Sequence, residues 1–255
     1  MQLIFSRTGA TPGPVSNDGL VGHYRHAPAS EPGRVRLRTN FISTLDGSIV
    51  GADGRSRSIN TPSDHHVFAL HRALADVIMV GAGTVRTEGY RAVDLASWQR
   101  DLRAYEGLSA APTLVIISGS GEIDPAVGTA ADGSRAPVMI ITTDSATGPL
   151  SALRAAGVEV VQMPGAHVDL TAATALLSER GLTRVLCEGG PRLHVELLAA
   201  DLVDEVSLSL SPIMVGGAGL RSTSGAPLPI AARFAVEHVL HADDETLFTH
   251  YRRSR

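Results

Sequence analysis

Hydrophobic and polar positions change period several times along the chain, and those changes mark its elements. Residues 6–34 carry little apolar periodicity and are rich in Gly, Pro, Ser and Thr. Residues 1–34 are therefore expected to form an extended, partly ordered N-terminal arm, with 35–255 as a single domain. "RVRLRTNFI" (34–42) alternates polar and apolar residues and reads as a strand. Asp46-Gly47 favours a tight reversal, and a second short extended piece is expected after it. Thr61-Pro62-Ser63-Asp64 is a helix start, with a capping hydroxyl, proline at the first helical position and an acid in the first turn. Val67, Leu70 and Leu74 follow at helical spacing.

"DVIMVGAG" (76–83) is a continuous run ending in glycines, as in a strand buried on both faces. "ASWQRDLRAYEG" reads as a surface helix, "TLVIIS" (113–118) and "PVMIIT" (137–142) as buried strands, and "GPLSALRAAG" as a helix closed by glycine. "VEVVQM", "DLTAATALLSERG", "RVLCE" and "PRLHVELLAADL" continue as strand, helix, strand and helix. The alternation from 62 to 200 predicts a three-layer α/β/α domain with a mostly parallel central sheet. After residue 200, "EVSLSLSPIMVGG", "RFAVEHVLHA" and "ETLFTHYRR" alternate without intervening helices, which predicts antiparallel strands at the sheet edge.

Composition narrows the function classes. The chain has 255 residues, 44% of them apolar, enough for a sizeable core. Its net charge of -4 is spread without blocks and there is no basic stripe, so nucleic acid is not an expected partner. No run approaches the roughly 18 to 20 apolar residues of a membrane helix. The N-terminus has too short an apolar core for a secretory signal, so a cytoplasmic setting without membrane contact is expected. The single cysteine, Cys187, reads as a buried inert thiol and excludes a multi-cysteine metal site. The histidines include no HExxH, and the "HVE" at 194–196 lacks the PCxxC half of a zinc deaminase signature, so no metal site is expected.

Three corners fall at strand ends, where open α/β sheets bind ligands. In "VGAGTV" (80–85), Gly81 and Gly83 let the backbone approach a ligand and Thr84 offers a hydroxyl; a tight strand-to-helix turn is the plainer alternative. In "EGGP" (188–191), Gly189 and Gly190 precede a helix opened by Pro191, a natural seat for a pyrophosphate or an ordinary turn. Glu188 is awkward beside phosphate and is expected to face another ligand. In "NFISTLDGS" (40–48), Asn40, Ser43, Thr44 and Asp46 either line a pocket or form an Asx-turn.

The order and spacing of "NFISTLDGSIVG", "HRALADVIMVGAGTV", "LVIIS", "VLCEGGPRL" and "VDEVSLSLSPIMVGG" resembles the C-terminal reductase domain of the bifunctional riboflavin-biosynthesis enzymes, the pyrimidine reductase family, over about residues 35–252. The resemblance implies a dihydrofolate-reductase-like fold, NADPH as cofactor, and reduction of 5-amino-6-(5-phosphoribosylamino)uracil to its ribitylamino product by hydride transfer to ribose C1′. A homodimer is implied as well. By analogy, Gly81, Gly83 and Thr84 meet the cofactor, Gly189 and Gly190 carry its pyrophosphate, and Ser118 lies near the adenosine ribose and its 2′-phosphate. Asn40, Thr44 and Asp46 lie near the nicotinamide and substrate. Glu188 and Arg72 match the family's substrate contacts, with Arg72 reaching the substrate phosphate. Asp46 and Glu188 are the acids in the matched motifs, and one of them, or a water it holds, is the candidate proton donor.

The chain departs from the family at "RTEGYRAVDL", where members carry Asp-x-Pro and then an arginine. Glu88 replaces the Asp, Tyr90 the proline, Leu95 lies where the arginine is expected, and Arg91 is expected to reach the phosphate from a different position. Losing one charge-assisted contact costs about 1.5–3 kcal/mol. The departure leaves open a same-fold NADPH reductase of another heterocycle, such as a dihydropterin, or a nucleotide-binding protein without turnover.

Overall fold

The computed structural model describes residues 1–26, 33–130 and 136–254. Strand β1 (Gln2–Ser6), the short β2 (Gly13–Pro14) and helix α1 (Asn17–Tyr24) come first. β3 (Arg36–Ser43), α2 (Pro62–Ala73), β4 (Val77–Gly81), α3 (Ala82–Glu88), α4 (Ser97–Tyr105), β5 (Thr113–Ile117) and β6 (Val138–Thr143) follow. Then come α5 (Leu150–Ala155), β7 (Glu159–Met163), α6 (Leu170–Glu179), β8 (Arg184–Cys187) and α7 (Pro191–Ala199). β9 (Glu205–Leu210), β10 (Phe234–His241) and β11 (Leu247–Arg253) close the chain.

Among the described residues, eleven strands form one sheet in the order β2-β1-β10-β11-β9-β3-β8-β4-β5-β6-β7. Every pairing from β9 across to β7 is parallel, and those from β9 through β11 and β10 to β1 and β2 are antiparallel. Successive residues of the central strands face opposite sides and both sides are covered. Ile78, Val80, Leu114, Ile116 and Ile140 pack with Val85 and Leu153 on one side. Val77, Met79, Val115 and Ile141 pack with Leu177, Leu193 and Leu197 of α6 and α7 on the other. A third cluster joins Leu20 and Tyr24 of α1, Val67 and Leu70 of α2, and Leu3, Leu240 and Phe248 of the antiparallel strands. The three-layer α/β/α expectation holds.

Several local expectations change. The described part of the expected arm, residues 1–26 and 33–34, holds a strand hydrogen-bonded to β10 and an eight-residue helix, so it is an edge of the sheet and part of its cover. Residues 27–32 of that arm lie outside the described residues. The extended piece expected after Asp46-Gly47 is irregular backbone, whose Ile49 amide donates to the Leu220 carbonyl. α4 is not purely a surface helix. Its Arg103 is fully buried and donates to the Ala73 and Ala75 carbonyls at 3.2 and 2.6 Å, closing the C-terminal end of α2.

The alternation in β9 runs opposite to a simple apolar-in reading. Glu205, Ser207 and Ser209 are buried, while Val206, Leu208 and Leu210 are half-buried. The polar face points inward because buried polar partners await it. Glu205 pairs with Arg36 and Arg38 at 2.9 and 2.7 Å, and Ser207 meets His71 at 3.0 Å. Arg38 Nη1 lies 3.2 Å from His71 Nδ1. Arginine can only donate, so Nδ1 accepts and Nε2 carries the proton toward Ser207.

His26, His71, His238 and His250 crowd around this Arg38–Glu205 pair, and burial first, then neighbouring positive charge, pushes all of them below the ordinary imidazole value. His238 is driven down to about 2. A histidine kept neutral by the fold binds fewer protons than in the unfolded chain, so stability is present above pH ~6.5 and falls as the pH drops below it. Each such histidine contributes about 1.4 kcal/mol of loss per pH unit. Thermal unfolding is therefore expected to show a clear fall in Tm from pH 7 to pH 5, flattened in His238→Gln. A Tm unchanged over that range would contradict this reading of the cluster.

Candidate active site

One cavity of about 1280 Å³ lies over the carboxyl ends of β3, β4, β5 and β8. The sequence places residues there by two devices. Parallel strands end in line, which brings Asn40, Gly81, Ser118 and Glu188 to one rim. Helix α2 contributes Asp64, Phe68 and Arg72, spaced by four and so stacked on one face.

The cavity's polar centre is Glu188, whose side chain is 1% exposed. Arg72 grips it with both arms of its fork, Nε to Oε1 and Nη2 to Oε2, each at 2.7 Å. Tyr90 donates its hydroxyl to Oε2 at 2.6 Å. The guanidinium carbon lies over two aromatic rings, 4.4 Å from the Phe68 ring centre and 5.6 Å from that of Tyr90. Burial works against the Arg72 charge, but the Glu188 carboxylate outweighs it and holds the guanidinium above its ordinary value. Burial, reinforced by the same carboxylate, raises the Tyr90 hydroxyl well above the usual phenol range. The two opposite charges cancel, so the surface offered here is planar, rigid and close to neutral. Tyr90, read in the sequence only as a replacement for proline, is thus part of the site. Leu95 is buried in the core beside Ala92 and Val93.

The glycine corners meet face to face. The Gly81 amide donates to the Gly189 carbonyl at 2.8 Å. A Cβ on Gly190 would lie 2.6 Å from the Thr84 hydroxyl, and one on Gly81 would touch the Gly190 nitrogen at 3.5 Å. Gly189 has φ +98 and its peptide bond to Gly190 is cis. Gly190 is the N-cap of α7 and supplies no side-chain cap to the first-turn amides. Unpaired N–H groups and the helix dipole at such an end favour an anion. Cys187, just below, is buried with its thiol pushed up to about 12 by burial, as expected of an inert thiol.

Asn40, Arg72, Gly81, Gly83, Thr84, Glu88, Arg91, Ser118, Glu188 and Gly190 all line this cavity. Their contacts differ from one another. Glu88 accepts the Ser56 amide at 3.0 Å, Arg91 donates to the Ala126 carbonyl at 3.2 Å, and the Ser118 hydroxyl accepts the Gly121 amide at 3.0 Å. Asn40 Oδ1 is buried without a hydrogen-bond partner. Thr44, Asp46 and Gly189 are absent from the lining. Thr44 is buried and its hydroxyl bonds Asp46 and both polar groups of the Ser48 backbone.

Asp46 accepts the amides of Val215 and Gly216 at 3.2 and 2.7 Å, and the Thr44 hydroxyl first, then the Gly216 amide, hold its carboxyl below the ordinary range. An exposed carboxylate held ionised by donors is poorly suited to give up a proton. The geometry instead makes it a clasp on segment 211–233, which joins β9 to β10 and brings Leu220 to the cavity wall. Asp46→Asn is expected to raise KM while leaving kcat nearly unchanged, and to expose 211–233 to limited proteolysis. A collapse of kcat at unchanged KM would restore Asp46 as the acid.

One cavity group went unnoticed in the sequence. Asp64 is 4% exposed, its carboxylate accepts the Ser209 hydroxyl, and burial outweighs that bond to raise its pKa. As a first-turn acid it looked like part of a helix start. The signal that could have found it was its place eight residues before Arg72 on the same helix face.

Residues 36–248 match the RibD C-terminal domain model. A 2,5-diamino-6-ribosylamino-4(3H)-pyrimidinone 5′-phosphate reductase from Methanothermobacter thermautotrophicus is 30% identical over 187 residues, covering 72% of this chain and 80% of the relative. The enzyme of the same name from Archaeoglobus fulgidus is 28% identical over 180 residues, covering 70% of this chain and 80% of the relative. The crystal structure of a pyrimidine reductase-like protein from Corynebacterium diphtheriae superposes with a TM-score of 0.71 at 26% identity, covering 87% of this chain and 92% of that one. With the family model spanning most of the sheet and both glycine corners, the chain belongs to the RibD C-terminal domain family.

Proposed function

We propose that the chain is an NADPH-dependent reductase that opens the ribose ring of a 6-(5-phosphoribosylamino)pyrimidine in riboflavin biosynthesis. One observation carries this reading: a single cavity joins a side-chain-free cradle to a polar cluster suited to a sugar and a heterocycle. Gly81, Gly83, Thr84, Gly190 and the first-turn amides of α7 would hold the pyrophosphate, because no Cβ obstructs the approach and no cap consumes the amides. Ser118, which lines the same cavity, would lie toward the 2′-phosphate. The cofactor supplies the hydride, and the protein supplies position and electrostatics. Asn40 offers a buried free acceptor to the ligand, and the Arg72–Glu188–Tyr90 cluster offers a fixed edge of donors and acceptors. A cytoplasmic homodimer belongs to the same proposal. The half-buried Val206, Leu208 and Leu210 face of β9 is the surface it would use.

One observation favours a second reading, a reductase of an unphosphorylated heterocycle. The Arg72 charge is matched by Glu188, so it is not free for a phosphate, and Leu95 lies in the core. The test is oxidation of NADPH with 5-amino-6-(5-phosphoribosylamino)uracil, with its 2,5-diamino-pyrimidinone counterpart, and with a dihydropterin. Turnover of either phosphoribosyl compound supports the first reading. NADPH binding with turnover of the pterin alone supports the second, and absence of NADPH binding overturns both.

A further inference from the structure

We infer that Asp64 is the proton donor of the reduction, touching the substrate from the α2 wall of the cavity. The inference rests on the reductase reading. It begins from a requirement of balance. When a carbon bonded to a ring oxygen accepts a hydride, its bond to that oxygen breaks, the electron pair stays on oxygen, and one proton must complete the hydroxyl. Reduced nicotinamide supplies the hydride only, so the proton must come from an acid of the protein, which solvent later recharges, or from a water that such an acid holds.

The cavity narrows the choice of acid. Asp46 lies outside its lining and is clamped by donors. Glu188 is inside, but three hydrogen bonds from Arg72 and Tyr90 occupy both of its oxygens. Glu88 is engaged by the Ser56 amide, Asp169 caps α6 through the amides of Thr171 and Ala172, and Asp94 and Glu196 are exposed. Among the described residues, Asp64 is the one buried cavity carboxylate with no arginine on it. Its surroundings suit the task. From its own helix it faces His65, from β9 the Ser209 hydroxyl, and from the β10–β11 turn Asp244. Burial and the Asp244 charge favour the protonated form, while Ser209 and His65 oppose it. Asn40 and Asn60, both cavity-lining with buried unpartnered Oδ1 atoms, are acceptors that can orient a ligand's donors.

The experiment has two independent readouts. In the chain alone, infrared difference spectra of wild type against Asp64→Asn should show a protonated-carboxyl band persisting above the ordinary carboxylate range. In turnover, Asp64→Asn should lower kcat by about 10²–10⁴-fold, leave NADPH affinity unchanged, and remove the alkaline limb of the kcat profile. Ser209→Ala deletes a bond that favours the ionised form, so it should move that limb to higher pH while preserving the fold. An Asp64→Asn protein that binds NADPH and keeps its kcat overturns the inference. So does a Ser209→Ala protein whose alkaline limb stays in place. If wild type turns over none of the candidate substrates while the carboxyl band is present, the reductase reading fails and the buried acid stands. If wild type turns over and the band is absent, the inference fails and the reductase reading stands.

Discussion

Glu188→Ala is expected to abolish measurable turnover and to destabilise the fold by about 3 kcal/mol, the lower end of the range for breaking a buried ion pair. The loss is large because the removed carboxylate satisfies two groups at once. Arg72 would keep its charge beside two aromatic rings without a counter-ion, and the Tyr90 hydroxyl would lose its acceptor. The lower end applies because 24% of the Arg72 side chain reaches solvent. Urea unfolding gives the measurement. The double variant Glu188→Ala/Arg72→Met should recover much of the stability, since it removes the stranded charge, yet none of the turnover. A single-variant loss below about 1 kcal/mol would show that Arg72 finds water or another partner, and that the pair is not the rigid centre described.

Gly190→Ala should weaken NADPH binding by about tenfold or more, about 1.4 kcal/mol or above, with little change in Tm. The added methyl would sit 2.6 Å from the Thr84 hydroxyl, at the mouth of the α7 amide seat. Thr84 can rotate away, so the fold tolerates the change, but the displaced hydroxyl and the methyl then occupy the cradle. Gly81→Ala meets its nearest neighbour at an ordinary 3.5 Å and should be milder. Calorimetric titration distinguishes the two. Equal effects, or none, would mean that the cradle does not hold the pyrophosphate.

The sequence was most readable where one physical signal dominates. Continuous apolar runs such as "DVIMVGAG" become strands covered on both faces, and Val77/Met79 against Ile78/Val80 shows why such runs do not alternate. The cap at Thr61 and Pro62 opens α2 as expected, with the Thr61 hydroxyl accepting the Asp64 amide. β9 was legible in position but not in facing. The pattern "EVSLSL" alternates either way, and only the partners Arg38, His71 and Asp64, distant in sequence, turn its polar side inward. The same limit governs the site. The glycines announced their corners because backbone freedom is local. The pairing of Glu188 with Arg72 and Tyr90 joins residues 116 and 98 positions apart, and no local pattern encodes it. Asp46 illustrates the converse, a residue conspicuous in its motif whose partners Val215 and Gly216 make it a clasp.

The most direct test of the central claim is deuterium transfer. The chain would be incubated with NADPH deuterated at nicotinamide C4, on each face in turn, and with 5-amino-6-(5-phosphoribosylamino)uracil or its 2,5-diamino-pyrimidinone counterpart, and the product examined by mass spectrometry. The account predicts a ribitylamino product carrying one deuterium at C1′ from one labelled face and none from the other. NADPH bound in the cavity with no label reaching either pyrimidine would contradict it.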